Sequence, residues 1–506
     1  MRRGAAGPLD AAIVTVADAR LIAARLAPVA AFVVPAAVFA VSASWEPASW
    51  DTAELQGVPY ILGITHPTGF PLYVMLGYVW SHAVAISTVA WRMNAMSGIA
   101  IAVACVAAYG TARQFGATRA IALLATLWFA FSRNVWAHAA RAEAQDLAVM
   151  CGTLAIYLFV RWMRDGNDRR FLAAFALCGL AMAAHPNALW ILPGLVVGVA
   201  IAQRRPSARL IAAGLALCVA GLAPYLYLPL RSAYVVTHHL DPAAALPGAG
   251  GGIFWNYNNP SSLSGLVREV TGSDTQSAEY LLAAFNPIHV RDAVWTFVVT
   301  IHEQYGVAVT LLLAGGLVAA WRRDRRATLV LVTACLAGLL FSVTYPNESD
   351  VSRYRLLVSW LVVPLLGALT PSPLTRRDAV LTWILALFLA TGAAFAFAAQ
   401  SGFLHHSSGE NGRWTIQAVE NRVPAGSVVV ADWLDATSLA YGAYVDGSLP
   451  GRIVLSDDKM RLALYRRWAR QVRVFVLVDP HDAIALPGAR DFARLDDYHE
   501  IYEAMP

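Results

Sequence analysis

Long apolar runs recur along most of the chain and are separated by short polar stretches. A bilayer-spanning helix needs about 20 apolar residues, so runs near this length predict membrane segments. Twelve runs lie near residues 28–44, 70–86, 93–111, 120–136, 144–163, 171–186, 188–203, 209–230, 306–321, 327–345, 356–371 and 379–399. Several are shorter than a full crossing, so tilt, tight packing or incomplete crossings are expected. The pattern predicts an α-helical polytopic membrane protein.

Arginine clusters in the short loops orient these helices, because basic loops are retained in the cytoplasm. The clusters lie at 161–170, 204–209, 322–326 and 376–377. With these inside, the N-terminal segment 1–27 is cytoplasmic, and the loops 45–69 and 231–305 and all residues after 400 lie outside. An inside N-terminus and an outside C-terminus require an odd number of crossings, which predicts 11 to 13 transmembrane helices. The first run is expected to be an uncleaved anchor.

The last hundred residues have the composition of a soluble domain. Of the 33 acidic residues, 14 fall between Glu410 and Glu503. Short β-rich runs at 428–432, 452–456 and 472–478 alternate with helical patterns at 435–446 and 458–470. This order predicts a small parallel sheet, and hence an extracytoplasmic α/β domain over 401–506 beside a transmembrane domain over 28–400. No glycine-rich dinucleotide motif follows the strands. The domain is expected to be dispensable for forming the carboxylate site described below.

Composition supports the membrane assignment and excludes other classes. Of 506 residues, 58% are hydrophobic and only 14% are charged, with a mean hydropathy of +0.52. A net charge of +5 without a basic face excludes nucleic acid as a partner and leaves membrane lipid. The five cysteines lie singly in apolar runs, far from any metal-ligand spacing. Lys459 is the sole lysine and alanine dominates, which is typical of a GC-rich bacterial genome, so the bacterial cytoplasmic (inner) membrane is the expected location.

The first outer loop carries the densest candidate chemistry. Asp51 and Glu54 are spaced i, i+3 and would share a face of a short helix, where two adjacent carboxylates separate in pKa and one can serve as a base. His66 follows in a turn stiffened by Pro67 and Pro71. The plainer interpretations are an acidic loop kept for solubility and a histidine that only stabilises the turn.

The same residues form a motif. Asp51-Thr-Ala-Glu-Leu followed by Gly63-Ile-Thr-His-Pro-Thr-Gly-Phe-Pro-Leu-Tyr resembles the first outer loop of the protein O-mannosyltransferase-like family, within the GT-C glycosyltransferase superfamily. The resemblance continues, more loosely, through about residue 300, including 91–94, 136–147, 179–185, 225–232 and 255–260. The chain departs from the family at Thr68, where proline is usual, and at Gln145, where an aromatic residue is usual.

The resemblance implies a GT-C type bundle and an activity. The activity is transfer of a sugar, such as mannose, from a polyprenyl-phosphate donor to a hydroxyl of a protein, lipid or polysaccharide acceptor, with inversion and on the outer side. Asp51 would be the general base and Glu54 its second carboxylate. The chemistry requires no cofactor, although Mg²⁺ or Mn²⁺ bridging Asp51 and Glu54 stays an alternative, because hard oxygen ligands suit these ions.

Further candidates lie near helix ends on the expected outer side. Four arginines there suit a departing phosphate or simple anchoring at the interface: Arg141, Arg231, Arg353 and Arg355. Arg231 is the best placed of these by its position in the motif. Ionisable groups at a membrane edge are costly, which adds two candidates, Glu143 and His185. The long outer loop offers sugar-binding or headgroup-anchoring side chains in Trp255, Asn258 and Asn259.

Two other classes of function compete with the enzyme. A transporter or lipid flippase would place charges in mid-helix and would use broken helices in related halves. The sequence shows no internal repeat of that kind, and its polar groups concentrate on one side of the membrane. A non-catalytic membrane scaffold presenting the C-terminal domain is the third interpretation, against which the presence of both Asp51 and Glu54 argues.

Overall fold

A computed structural model gives the architecture. It describes residues 26–249, 252–273, 286–344, 351–372, 375–405, 412–457, 461–478, 489–494 and 499–506. The predicted cytoplasmic segment 1–27 lies almost wholly outside the described residues.

The twelve apolar runs are helical, although the runs 120–136 and 209–230 are each divided between two helices. The helices up to residue 400 are α1 (Leu26–Ser42), α2 (Trp50–Ile61), α3 (Pro71–Ala83), α4 (Val89–Gln114), α5 (Arg119–Phe131), α6 (Arg133–Ala139), α7 (Ala144–Asp165), α8 (Asp168–Ala184), α9 (Leu192–Ile201), α10 (Ala208–Ala220), α11 (Tyr227–Thr237), α12 (Leu263–Thr271), α13 (Pro287–Thr344), α14 (Leu356–Ala368) and α15 (Arg376–Ala399). The α-helical architecture predicted from the sequence is confirmed.

Six helices among the described residues are long and apolar enough to cross a membrane, or seven if the bent pair α5 and α6 forms one span. Two shorter apolar helices, over 26–42 and 186–201, accompany them. Helix α13 is interrupted by non-helical backbone at Gly306 and Asp324. The break at Asp324 separates the two apolar runs expected on either side of residue 324, so α13 contains more than one apolar segment. The total of 11 to 13 crossings stays a prediction.

The two long loops predicted to be external contain more helix than the sequence pattern indicates. Helix α2 lies within the loop 45–69, and the loop 231–305 contains the end of α11, all of α12 and the start of α13. The two loops touch at Gly63, where an added Cβ would lie 1.7 Å from the carbonyl oxygen of Phe254. Only glycine fits this approach, which holds the loop motif against the segment that contains Phe254.

The C-terminal domain is an α/β unit with the predicted parallel core. Its strands are β1 (Val428–Ala431), β2 (Ile453–Ser456), β3 (Val474–Val478), β4 (Ala489–Arg494) and β5 (Glu500–Ala504), and its helices are α16 (Gly412–Glu420), α17 (Trp433–Tyr444) and α18 (Leu462–Ala469). The strand order is β2-β1-β3-β5-β4, and β1 pairs in parallel with β2 and β3. The three predicted strands are confirmed. The antiparallel strands β4 and β5 were not predicted.

This domain packs directly on α2 and its surroundings. The Ser438 hydroxyl donates to the Ala48 carbonyl at 3.1 Å, and the backbone N–H of Ala90 donates to the Tyr441 hydroxyl at 3.0 Å. At the domain's first helix, the backbone N–H of Gly412 donates to the Pro47 carbonyl at 2.9 Å. The face of α2 that is not turned to the bundle is therefore covered by α17.

Candidate active site

Helix α2 presents the two predicted carboxylates on one face. Asp51 lies in its first turn, where the helix dipole stabilises an anion, and Glu54 lies one turn later. Glu54 is fully buried, whereas the Asp51 side chain keeps 20% of its surface exposed. The shared face expected from the i, i+3 spacing is confirmed, and Asp51 is the carboxylate that a substrate can reach.

The loop after α2 brings His66 between these carboxylates. Its Nδ1 pairs with one Glu54 carboxylate oxygen, and its backbone N–H donates to the other at 2.7 Å. Its Nε2 lies 3.8 Å from the nearer oxygen of Asp51. The turn that holds the ring here needs Gly69, whose φ is +80° and where a Cβ would press on Leu228. Pro71 then starts α3 at its first position. Glu54 therefore orients His66, and His66 faces Asp51.

Arg353 connects Asp51 to a third carboxylate, that of Glu143. It lies in the 3₁₀ turn Val351–Arg355 that precedes α14, and its side chain is 8% exposed. One guanidinium nitrogen lies 3.5 Å from Asp51 Oδ2 and the other 3.5 Å from Glu143 Oε2. Glu143, at the start of α7, also accepts from Arg141 at 3.2 Å. The structure thus brings together six of the predicted residues: Asp51, Glu54, His66, Arg141, Glu143 and Arg353.

The charges of the cluster follow from this geometry. Burial alone would raise the pKa of Asp51, but the adjacent His66 and Arg353 hold it below its usual value. Burial would lower the pKa of His66, yet the Glu54 and Asp51 carboxylates raise it from 6.5 to about 10. Asp51 is therefore an anion and His66 a cation at neutral pH.

The ion pairing of His66 with Glu54 and Asp51 should make the free energy of unfolding depend on pH. The folded state raises the pKa of His66 from 6.5 to about 10, so the protonated ring stabilises the folded protein. This contribution is fully present below pH 6.5 and is lost as the pH rises through 10. His66→Gln should therefore lower the melting temperature strongly at pH 6 and little at pH 10. His238→Gln, at the exposed end of α11, is the matched control. A His66→Gln deficit that is equal at both pH values would contradict the ion pair.

His185 and Phe70 form an aromatic wall beside the cluster. The His185 ring stacks on Phe70 with centroids 5.1 Å apart, and Phe70 meets the His66 ring edge-on at 5.2 Å. Burial, together with the nearby Arg353 charge, lowers the pKa of His185 to about 3. His185 is therefore neutral. Its Nδ1 accepts from the backbone N–H of Asn187, which leaves Nε2 as the ring donor.

Trp433 is a residue of the site that sequence reasoning missed. It is the first residue of α17, directly after β1, and its indole N–H donates to Asp51 Oδ1 at 2.9 Å. Its ring also meets the His66 ring edge-on at 5.8 Å. The available signal was its place at the carboxyl end of a predicted parallel strand, where α/β sheets bind ligands.

This contact corrects the expectation that segment 401–506 is dispensable for forming the carboxylate site. Asp51 has two carboxylate oxygens, and the C-terminal domain supplies a hydrogen-bond donor to one of them. No local pattern in the sequence connects these two positions, which are 382 residues apart. The C-terminal domain completes the site.

Other candidates have different surroundings. Arg231 donates to the carbonyls of Leu62 and Ile61 at 2.5 and 3.2 Å, so it caps the C-terminal end of α2 instead of lying with Asp51. Asn258 donates to the buried Glu269 at 3.2 Å, and the Trp255 ring lies 6.0 Å from that of Tyr444 in the C-terminal domain. Arg355 occupies the N-cap position of α14, and its side chain makes no capping hydrogen bond there. Arg231, Asn258 and Trp255 therefore have their described contacts outside the carboxylate cluster.

The arrangement also bears on the metal alternative. Within the part of the chain that the structure describes, no group of three or more histidine, cysteine or acidic side chains is arranged to hold a metal ion. The His66 ring occupies the space between Glu54 and Asp51. Metal binding by Asp51 and Glu54 stays a prediction, and it would require His66 to move.

Sequence comparison places part of the chain beside known proteins. Residues 51–208 match the family model described as the protein O-mannosyl-transferase TMEM260 N-terminal domain. The protein O-mannosyl-transferase TMEM260 of Mus musculus is 31% identical over 212 residues, which is 40% of this chain and 30% of the mouse protein. That of Dictyostelium discoideum is 30% identical over 129 residues, covering 25% of this chain and 16% of the relative. The chain thus matches less than a third of the length of these relatives.

Solved structures extend the likeness to nearly the whole chain. ArnT from Cupriavidus metallidurans bound to undecaprenyl phosphate has a TM-score of 0.54 at 11% identity, covering 94% of this chain and 98% of that one. The archaeal oligosaccharyltransferase AglB from Archaeoglobus fulgidus, in complex with an inhibitory peptide and a dolichol-phosphate, has a TM-score of 0.55 at 10% identity, covering 89% and 69%. The resemblance indicated by the first-loop motif is therefore confirmed for residues 51–208, and the chain shares the fold of ArnT and AglB over most of its length.

Proposed function

We propose that this protein is an inverting glycosyltransferase that moves a sugar from a polyprenyl-phosphate donor to a hydroxyl acceptor at the outer face of a bacterial cytoplasmic membrane. The observation that carries the proposal is the cluster in which Asp51 contacts Trp433 and faces His66 and Arg353. The names of the TMEM260 relatives favour mannose as the sugar and a protein as the acceptor. The polyprenyl phosphates in the ArnT and AglB structures favour the donor class.

Asp51 acts as the general base of this reaction. An ionised, partly exposed carboxylate takes the proton from the acceptor hydroxyl while that oxygen attacks the anomeric carbon. The bond from the anomeric carbon to the phosphate oxygen breaks, and its electron pair leaves with the phosphate. A single displacement on the side opposite the leaving group inverts the configuration. Glu54 is paired with His66, so it positions the cation instead of sharing the role of base.

The leaving phosphate needs positive charge at the same site. Arg353 and His66 are both within 4 Å of Asp51. Arg141, whose side chain is 27% exposed, pairs with Glu143, which is the second carboxylate that Arg353 contacts. A guanidinium holds phosphate at two points and strengthens its contact as negative charge develops. We assign this role to Arg353 and Arg141. Arg231 is engaged by the α2 carbonyls, so it takes a supporting role in this mechanism.

The cluster favours an enzyme over the two other classes. A scaffold has no need for an arginine with 8% exposure placed between the acids of α2 and α7, because buried charges are costly to keep. The ionised groups gather where α2, α7 and the turn before α14 meet the C-terminal domain, at one end of the bundle. A flippase would instead require polar groups along the path that the headgroup follows.

A reconstituted transfer assay tests the proposal. The full-length protein in lipid nanodiscs is given polyprenyl-phosphate mannose with a radiolabelled sugar and a serine- and threonine-containing peptide. The expected result is a labelled peptide of inverted anomeric configuration, formed only when both substrates are present. The same assay is repeated with a panel of hydroxyl acceptors and with donors that carry other sugars. If the protein moves the labelled donor between the leaflets of liposomes but transfers no sugar in any of these combinations, the proposal is overturned in favour of a flippase. Loss of transfer in EDTA would reveal a Mg²⁺ or Mn²⁺ requirement.

A further inference from the structure

A cavity lies between α1, α4 and α7, at the end of the bundle opposite the carboxylate cluster. Its volume is about 380 Å³, within the range typical of ligand sites. Arg161, which lines it, is separated from Glu143 of the cluster by about 27 Å of helix α7. The hydrocarbon core of a bilayer is about 30 Å thick, and α4 and α7 are both long and apolar enough to span it. The cavity and the cluster therefore lie near opposite faces of the membrane.

The mouth of the cavity is basic. It contains Arg113 of α4, which is exposed, and Arg161 of α7, which is half-buried. Among the described residues, no acidic side chain lines the cavity, and neither arginine pairs with a carboxylate. Other arginines at this end are neutralised, since Arg164 pairs with Asp324 at 2.8 Å and Arg170 pairs with Asp165. The cavity therefore presents two positive charges that suit an anionic ligand.

Tyr157 fixes the position of one of these charges. Its hydroxyl accepts from Arg161 Nη1 at 3.0 Å, and the guanidinium carbon lies 5.8 Å from the centre of the same ring. The ring packs on Gly110 of α4, where an added Cβ would lie 2.6 Å from it. The contact with Tyr157 uses one of the five guanidinium N–H groups of Arg161. The others can bind a phosphate, which a guanidinium holds at two points.

The apolar part of the lining lies deeper in the membrane than the arginines. Val106 precedes Arg113 by two helical turns on α4, and Leu154 precedes Arg161 by two turns on α7. Each apolar side chain therefore lies on the same helix face as its arginine, and about 10 Å nearer the centre of the bilayer. A phospholipid has the same order of groups, with its phosphate at the interface and its acyl chains below.

We propose that this cavity binds an anionic phospholipid from the leaflet on the predicted cytoplasmic side. Its phosphate contacts Arg113 and Arg161, and its acyl chains begin on Val106 and Leu154. Basic pockets between membrane helices on this side bind anionic lipid headgroups in other proteins. A soluble phosphate would meet the same arginines but would leave the apolar floor uncovered. A zwitterionic lipid would bring a cation that the arginines repel.

Native mass spectrometry of the full-length protein in detergent tests the site. The protein is titrated with phosphatidylglycerol, with phosphatidylcholine of the same acyl chains, and with inorganic phosphate. The wild type should bind its first phosphatidylglycerol at least about tenfold more tightly than phosphatidylcholine, because two arginines meet a net negative headgroup. The double variant Arg113→Gln/Arg161→Gln should lose this preference and keep the wild-type affinity for phosphatidylcholine.

The matched control is Arg169→Gln/Arg205→Gln. It removes the same charge from two exposed arginines at this end of the bundle that do not line the cavity. It should bind phosphatidylglycerol as tightly as the wild type does. An equal loss of affinity in both double variants would show that the net charge of this end, and not the cavity, attracts the lipid, and would overturn the site.

The remaining outcomes distinguish the ligands. Equal affinity of the wild type for the two lipids overturns the choice of an anionic headgroup. Displacement of phosphatidylglycerol by inorganic phosphate at a similar concentration would assign the arginines to a soluble phosphate and overturn the lipid. A phosphatidylglycerol with a photoreactive headgroup gives a readout on the wild-type protein. Crosslinks to residues 106–114 or 154–161 are expected, and crosslinks confined to other segments overturn the assignment.

Discussion

Asp51→Asn is expected to lower the rate of sugar transfer by roughly 10² to 10⁴-fold, the usual cost of losing a general base. The amide has nearly the same shape as the carboxylate and still offers an oxygen to the Trp433 indole. It cannot accept the proton of the acceptor hydroxyl. The loss should therefore appear in kcat, while the donor dependence changes much less.

The control for this variant is Asp292→Asn, at an exposed acid that pairs only with the neighbouring Arg291 among the described contacts. It should keep wild-type activity. Asp51→Asn should also remain folded in nanodiscs and should lower the pKa of His66, because one of the carboxylates that raises it is gone. Retention of more than a tenth of the wild-type rate would assign the base to another residue.

The local part of the site was predictable because its residues are close in sequence. Asp51, Glu54 and His66 lie within sixteen positions, and helical spacing together with a proline-stiffened turn is enough to bring them together. The membrane helices and the parallel strands were predictable for a similar reason, since the repeat of apolar residues reports local structure directly.

The long-range part was not predictable from one sequence. Arg353 lies 302 residues from Asp51 and Trp433 lies 382 residues away. Apolar periodicity defines each helix but not which loop ends meet above the bundle. The C-terminal domain was therefore recognised as a fold, whereas its contribution to the site appeared only in three dimensions.

Arg231 shows a second reason why the site could not be fully predicted from the sequence. Its place in the motif made Arg231 the favoured phosphate ligand, although Arg141 and Arg353 also lie at helix ends near the expected interface. What distinguishes the three arginines is the oxygen that each guanidinium contacts. For Arg231 this is a pair of backbone carbonyls at the end of α2, and for the other two it is a carboxylate of the cluster. The choice depends on where α2 ends relative to α11, which the sequence pattern does not define.

Arg353→Ala should lose both activity and stability, because Arg353 contacts two carboxylates at once. Glu143 is 2% exposed, and its described ion pairs are with Arg353, Arg141 and the weakly basic His138. Without Arg353, Arg141 would be the one arginine left among these partners. Breaking a buried ion pair by removing one partner costs roughly 3 to 5 kcal/mol. Arg353→Lys keeps the charge but cannot reach both carboxylates, so it should recover part of the stability and little of the transfer rate.

A double variant separates the two effects. Glu143→Gln removes the charge that Arg353→Ala leaves buried, so the combined protein should be more stable than Arg353→Ala alone. Its transfer rate should stay as low as that of Arg353→Ala, because nothing has replaced the cation that faces the donor phosphate. Thermal unfolding and transfer kinetics of the wild type, both single variants and the double variant give the comparison. Recovery of transfer together with stability would mean that Arg353 serves only to neutralise Glu143, and the phosphate contact would then pass to Arg141.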